Sequence, residues 1–288
     1  MLGKDIVEVL SKTVKFNVFG IDKIAAPDFA GNSQIIGDLL DTGFLNEALN
    51  SINPDIIIHC AAFVNLDFCE DNKEITEKLH CGVTAHLSSF NALRSRFIYI
   101  STDSVFSGEK GSYDESDIPA PRNFYAQSKY KGELMAQENN PQALIIRTNI
   151  YGFKHPPGNS LVEWALEKFK KDETVSGFKD IFFNPLYTKQ LARIIASFII
   201  NKEVAGIIHA GSSRCISKYF FLRKLAQTFK YSPELVTESS SWQINFRTPR
   251  PRNTSLDITK LQKVITEIPD LGTGLQELYS DYYKQTKT

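Results

Sequence analysis

Short runs of β-branched and aromatic residues alternate with stretches of helical periodicity through the first half of the chain. Residues 16–22, 55–62, 97–103 and 143–148 read as strands, and Ile56-Ile57-Ile58 and Leu144-Ile145-Ile146 are unbroken apolar runs suited to burial on both faces. Between them, residues 44–51, 73–94 and 125–138 carry the 3.6-residue period of amphipathic helices. Apolar strands alternating with helices predict a parallel sheet covered on both faces. Ligands of such open sheets bind past the carboxyl ends of the strands. Polar and small residues collect there: Asp22 after the first run, Cys60-Ala61-Ala62 after the second, and Ser101-Thr102-Asp103 after the third.

Beyond Tyr151 the pattern changes. Helices are expected over about 160–171, 188–201, 218–229 and 273–284, with one short strand at 206–211. His155-Pro156-Pro157-Gly158 reads as a loop, and residues 242–251 look irregular. The expected organisation is a sheet domain over 1–152, to which 186–210 returns. A smaller α+β cap takes most of 153–185 and 211–288.

Composition narrows the class of protein. Of 288 residues, 42% are hydrophobic and 23% charged, ordinary for a globular chain, and 33 basic side chains balance 33 acidic ones. With no basic block, nucleic acid is not an expected partner. No apolar run approaches the ~20 residues of a membrane span, so no membrane association is expected. The N-terminus lacks the layout of a secretion signal. Cys60, Cys69, Cys81 and Cys215 have neither CxxC spacing nor the density of a disulfide framework, and they read as reduced thiols of a cytoplasmic protein. The five histidines form no ligand-spaced pair, so no metal site is expected.

The chemistry concentrates at Tyr125 and Lys129. Four residues apart on a helix, a phenol and an ammonium share one face. A nearby cation favours phenolate and lowers a tyrosine pKa from its usual ~10, which would make Tyr125 a proton donor or acceptor. Taken alone, Tyr-x-x-x-Lys arises by chance in many helices. Thr102, at a strand end beside the same crevice, supplies context.

Several further runs appear in a matching order. They are Ile100-Ser101-Thr102-Asp103-Ser104-Val105-Phe106-Ser107-Gly108, Tyr113-Asp114-Glu115-Ser116-Asp117-Ile118-Pro119-Ala120-Pro121, and Tyr125-Ala126-Gln127-Ser128-Lys129 followed by Gly132-Glu133. Arg147-Thr148-Asn149-Ile150-Tyr151-Gly152, Asn184-Pro185-Leu186-Tyr187 and Arg250-Pro251-Arg252-Asn253-Thr254-Ser255-Leu256 continue the series. The chain resembles the extended short-chain dehydrogenase/reductases, and within them the dTDP-4-dehydrorhamnose reductase group.

The resemblance implies a Rossmann-like doubly wound sheet and a dinucleotide-binding domain over 1–152. It implies reduction of a nucleotide-linked 4-keto-6-deoxy sugar, for polysaccharide or glycan precursors, by NADPH or NADH. Tyr125 would give its proton to the forming alkoxide, Lys129 would hold the nicotinamide ribose and acidify the phenol, and Thr102 would hydrogen-bond the same oxygen. Successive strand residues face opposite ways, so only one of Ser101 and Thr102 faces the crevice, and the resemblance favours Thr102. Cofactor contacts would come from Gly3, Asp22, Lys23, Asp38, Cys60, Ala61 and Ala62. Asp22 favours NAD through a ribose, whereas Lys23 could pair with the 2′-phosphate of NADP. Ser101, Asp103, Asn149 and Arg252 are expected on the substrate side, with Arg250 and Arg247 as substitutes for a diphosphate contact. A homodimer is a further expectation.

The sequence departs from the group's pattern in three places. Ser104 replaces a tyrosine, and His80 stands where related enzymes carry an asparagine that relays protons. The chain also begins inside the glycine-rich turn, with Gly3 as its last glycine and without the opening strand of the sheet. Three explanations stand: a start codon some ten residues upstream with Met1 internal, a natural remnant with weakened cofactor binding, or a strand supplied by a partner. Two other functions compete. One is a nucleotide-sugar epimerase or dehydratase, disfavoured because Asp103 and Ser104 offer no glutamate beside Thr102. The other is a non-catalytic nucleotide-binding subunit similar to the beta subunit of methionine adenosyltransferase.

Overall fold

The computed structural model describes residues 1–13, 16–25, 33–201 and 203–285. Helix α1 (Leu2–Thr13) precedes two parallel strands, β1 (Phe19–Asp22) and β2 (Ser33–Ile36), and helix α2 (Thr42–Ile52). Then come β3 (Ile56–His59), α3 (Leu66–Asp71), α4 (Lys73–Glu77), α5 (Thr84–Ser89), β4 (Arg96–Thr102), α6 (Phe124–Asn139) and β5 (Leu144–Thr148). The second half contributes β6 (Ile150–Tyr151), α7 (Leu161–Lys170), β7 (Val175–Phe178), β8 (Phe182–Phe183), β9 (Leu186–Tyr187), α8 (Thr188–Ile200) and β10 (Gly206–Ala210). Strand β11 (Ile216–Ser217), α9 (Lys218–Thr228), β12 (Val236–Ser239), α10 (Thr259–Gln262) and α11 (Leu271–Gln285) complete it.

The main sheet is Rossmann-like, with all neighbours parallel in the order β10-β5-β4-β3. Its two faces are both covered, as apolar strands require. Ile98 and Ile100 of β4 pack with Leu2, Ile6 and Leu10 of α1 and with α8, while Phe97 and Tyr99 pack with Leu45, Leu79, Val83 and Ala136 on the other side. The period of two along β4 is therefore what divides the core into two layers. Strands β1 and β2 form a separate parallel pair. Among the described residues no strand joins β1 to β3, which is the arrangement of a doubly wound sheet without its first strand. Ile21 of β1 nonetheless packs against the layer under β3, keeping the pair beside the sheet.

The added α+β region has its own core of Val162, Phe169, Phe183, Phe221, Leu225 and Leu278, from α7, β8, α9 and α11. Helix α7 begins at a capping box in which Ser160 and Glu163 satisfy each other's backbone amides. Leu256, Ile258 and Leu261 pack into the α1/α8 layer, and Asp257 N–H donates to the Tyr113 carbonyl at 2.7 Å, stitching this stretch to the loop after β4.

The helix expected over 73–94 is interrupted. Lys78–Val83 forms a π-helical turn between α4 and α5, and Asn91, at φ 45°, lies beyond the end of α5. A Cβ on Gly132 of α6 would lie 2.4 Å from the His80 carbonyl and 2.4 Å from the Tyr99 hydroxyl. Only glycine lets α6 approach that widened turn.

Candidate active site

Helix α6 is fixed at its start by three contacts. The Asn123 side chain accepts from the Ala126 amide at 2.9 Å and donates to the Pro249 carbonyl at 2.9 Å, while the Phe124 amide donates to Glu70 at 2.7 Å. This start brings Tyr125 to the carboxyl end of β4, where its phenol lies beside the Thr102 side chain. Burial pushes the Tyr125 pKa up to about 12, and the neighbouring Thr102 hydroxyl opposes that shift. The phenol is thus held protonated.

Lys129 follows one turn later and is buried. Its ammonium donates to the Ile100 carbonyl at 2.7 Å and lies 3.9 Å from the centre of the Tyr99 ring. Burial lowers its pKa to about 7, with the Glu133 carboxylate pulling in the opposite direction. The expectation that Lys129 acidifies Tyr125 is therefore corrected. Desolvation governs the phenol, and the ammonium is directed at a strand carbonyl and another ring.

His80 connects the two sides of the cleft. Its Nε2 accepts from the Phe63 amide at 2.9 Å, so that nitrogen carries no proton. The proton is on Nδ1, 2.8 Å from the Ser128 hydroxyl, which in turn donates to the Tyr125 carbonyl at 2.9 Å. The ring meets Tyr125 edge-on at 5.9 Å. Burial lowers the His80 pKa to about 3. A neutral histidine with both nitrogens engaged ties the loop after β3 to α6.

Ser101 and Thr102 face opposite ways, as strand geometry requires. Ser101 donates to Glu133, which is paired with Arg147 through contacts of 2.7, 3.0 and 3.2 Å; the two side chains are 1% and 2% exposed. Ser101, expected near a substrate, is instead committed to this ion pair beneath the sheet. Asp103 is also buried. It accepts from Thr254, from Asn149 at 2.9 Å, and from Thr102 and Ser104 at 3.2 and 3.3 Å. Burial raises its pKa against those bonds. Asp103 and Asn149 thereby anchor Thr102 to the C-terminal segment.

The residues expected to hold a dinucleotide lie along one edge. Cys60, Ala61 and Ala62 follow β3 directly and are half-buried. Asp22 ends β1 with an exposed carboxylate, and Lys23 pairs with Asp38 at 2.8 Å beyond β2. An exposed carboxylate able to accept ribose hydroxyls, beside an exposed cation, suits the adenosine end of NAD(P)H. Small residues and Lys129 suit the nicotinamide end. Gly3 lies in the first turn of α1, and a Cβ there would meet nothing within 4 Å.

On the opposite side, Arg252 stacks over Trp242 at 3.0 Å and donates to Ser241, Arg247 pairs with Asp71, and Arg250 lies 4.9 Å from the Phe246 ring. A cavity of about 420 Å³ between α9 and α11, lined by Arg214, Phe220, Lys224, Asp270 and Leu275, contains none of these groups. Sequence reasoning missed Lys218, which extends from α9 to the Phe183 ring at 3.4 Å and interacts with Asp103. No motif marks it.

The family model described as RmlD substrate binding domain matches residues 2–284. Among curated proteins, Probable low-salt glycan biosynthesis reductase Agl14 of Haloferax volcanii is 28% identical over 254 residues, covering 85% of this chain and 84% of the relative. Methionine adenosyltransferase 2 subunit beta of Mus musculus is 28% identical over 251 residues, covering 83% and 74%. Among solved structures, a hypothetical dTDP-4-dehydrorhamnose reductase from Sulfolobus tokodaii superposes with a TM-score of 0.82 at 30% identity, covering 95% of each chain. With a family model spanning nearly every residue and the Thr102, Tyr125 and Lys129 side chains gathered at one sheet edge, the chain belongs to the RmlD-like, dTDP-4-dehydrorhamnose reductase branch of the extended short-chain dehydrogenase/reductases.

Proposed function

We propose that this protein is an NAD(P)H-dependent reductase of a nucleotide-linked 4-keto-6-deoxy sugar. The observation that carries the proposal is the Thr102 side chain set beside a Tyr125 phenol that burial keeps protonated, at the carboxyl end of β4. Asp22, Lys23 and Asp38 would hold the adenosine end of the cofactor, and Cys60, Ala61, Ala62 and Lys129 the nicotinamide end. The bound dihydronicotinamide supplies the hydride that reduces the ketone carbon. Tyr125 delivers the proton to the carbonyl oxygen, and Thr102 stabilises negative charge developing there. Asp103, held by Thr254 and Asn149, keeps Thr102 in place rather than acting as an acid or base. That arrangement favours simple reduction over dehydration, which needs a second acid–base group. The protein would act as a soluble cytoplasmic enzyme, and a homodimer is its proposed assembly.

Two observations favour a second reading. The similarity to methionine adenosyltransferase 2 subunit beta extends over most of the chain, and β1 and β2 stand apart from the main sheet. A nucleotide-binding subunit without turnover would fit both. NADPH consumption with dTDP-4-keto-6-deoxyglucose separates the readings. Loss that depends on the sugar supports the reductase; cofactor binding without loss supports the subunit.

A further inference from the structure

Helix α3 stands where three parts of the cleft meet. It follows the loop after β3, and its Cys69 thiol donates to the Phe63 carbonyl of that loop at 3.5 Å, next to the Phe63 amide that His80 holds. Asp67, Glu70 and Asp71, at positions i, i+3 and i+4, lie on one face of the helix. Each is engaged by a different group outside α3. Thr248 donates its hydroxyl to Asp67, the Phe124 amide donates to Glu70 at 2.7 Å, and the Arg247 guanidinium pairs with both carboxylate oxygens of Asp71. An acidic helix face is ordinarily solvated, but here Asp67 and Glu70 are half-buried and all three carboxylates are spent on neighbouring segments. One short helix thus grips residues 247–248 and the start of α6 together.

The contacts with α6 fall on the backbone that sets the Tyr125 phenol. Phe124 opens α6 immediately before Tyr125, so its amide is one of the four that a helix leaves without an internal partner. Glu70 supplies that partner and places its carboxylate at the positive end of the α6 dipole. The Asn123 side chain, which caps the same turn, is buried and reaches back to the Pro249 carbonyl at 2.9 Å. Thr248 is buried as well. Residues 247–249 therefore reach the start of α6 by two routes, directly through Asn123 and indirectly through the acidic face of α3.

We propose that Glu70 is a positioning residue for Tyr125, and that α3 makes the placement of the phenol depend on residues 247–249. Proton delivery needs the phenol within hydrogen-bond reach of the carbonyl oxygen, and a displacement of ~1 Å costs about 10²-fold in rate. The bond from the Phe124 amide to Glu70 holds the backbone beside Tyr125 against such a displacement. Thr248 and Arg247, through Asp67 and Asp71, hold α3 itself in place for that task. Only the role of the phenol depends on the reductase reading; its placement by α3 does not.

NADPH oxidation with dTDP-4-keto-6-deoxyglucose and amide hydrogen exchange over residues 124–130 test this on the whole protein. Glu70→Ala is expected to lower kcat roughly 10–100-fold, with KM and NADPH affinity within about threefold of the parent. Exchange at the Phe124 amide should quicken by about tenfold or more. Glu70→Gln keeps an acceptor for that amide and should hold kcat within about threefold of the parent. Thr248→Val, whose lost hydroxyl bonds α3 rather than α6, should also quicken exchange in the first turn of α6, and Arg247→Met gives the same readout from an exposed position. Parental kcat in Glu70→Ala, equal losses in Glu70→Ala and Glu70→Gln, or first-turn exchange indifferent to Thr248→Val and Arg247→Met overturns the proposal. Exchange that responds to Glu70→Ala, Thr248→Val and Arg247→Met, with no sugar-dependent NADPH oxidation by the parent, leaves the positioning by α3 standing and removes the reductase reading.

Discussion

Replacing Glu133 with glutamine should expose how much the buried ion pair under β4 contributes. Glu133 receives two nitrogens of Arg147 and the hydroxyl of Ser101, with both charged side chains almost completely buried. The neutral amide leaves the Arg147 guanidinium uncompensated and turns an NH₂ toward a donor. Losing one partner of a buried pair costs about 3–5 kcal/mol. At ~2–3 °C per kcal/mol for a chain of this size, the melting temperature should fall by roughly 6–15 °C. Replacing both partners, as Glu133→Leu with Arg147→Met, should recover most of that loss, because no buried charge is then left unpaired. Calorimetry of parent, single and double variants measures this. A single variant melting within ~2 °C of the parent would refute the reasoning.

Two further outcomes concern titration. Lys129 has a folded pKa of about 7 against the ordinary 10.5, so between those values the unfolded chain holds the extra proton and folding stability rises with pH. Lys129→Met should therefore stabilise the protein by several kcal/mol near pH 7 and by much less near pH 10, as read by chemical denaturation; a constant difference would contradict the burial argument. His80, held neutral with its proton on Nδ1, should show imidazole ¹⁵N shifts that stay constant from about pH 8 to about pH 5, and a midpoint near 6 would exclude the assignment. His80→Ala should cost about 1–3 kcal/mol, chiefly by stranding the Phe63 amide. His80→Asn should lose less.

The strands of the main sheet were legible because their apolar runs are continuous, and Thr102, Tyr125 and Lys129 because residue type and spacing carry chemistry. Alternation along β4 correctly separated Thr102 from Ser101. What local sequence does not encode is where a long side chain ends. Lys129 shares a helix face with Tyr125, yet its ammonium reaches the Ile100 carbonyl, so the pKa argument built on spacing failed. Asp103 and Asn149 carry polar groups at a strand edge and read as substrate ligands, but they bond each other, and the second partner of Asp103, Thr254, lies far along the chain. The π-helical turn at His80 was invisible for a similar reason. It packs closely against Gly132 of another helix, a contact that the local sequence of residues 78–83 does not announce.

The rate of sugar-dependent NADPH oxidation by Tyr125→Phe, compared with the parent at saturating substrate, decides whether this phenol is the proton donor. The account expects a loss of about 10²–10⁴-fold with NADPH affinity retained. A variant that reduces the ketone at the parental rate would contradict it.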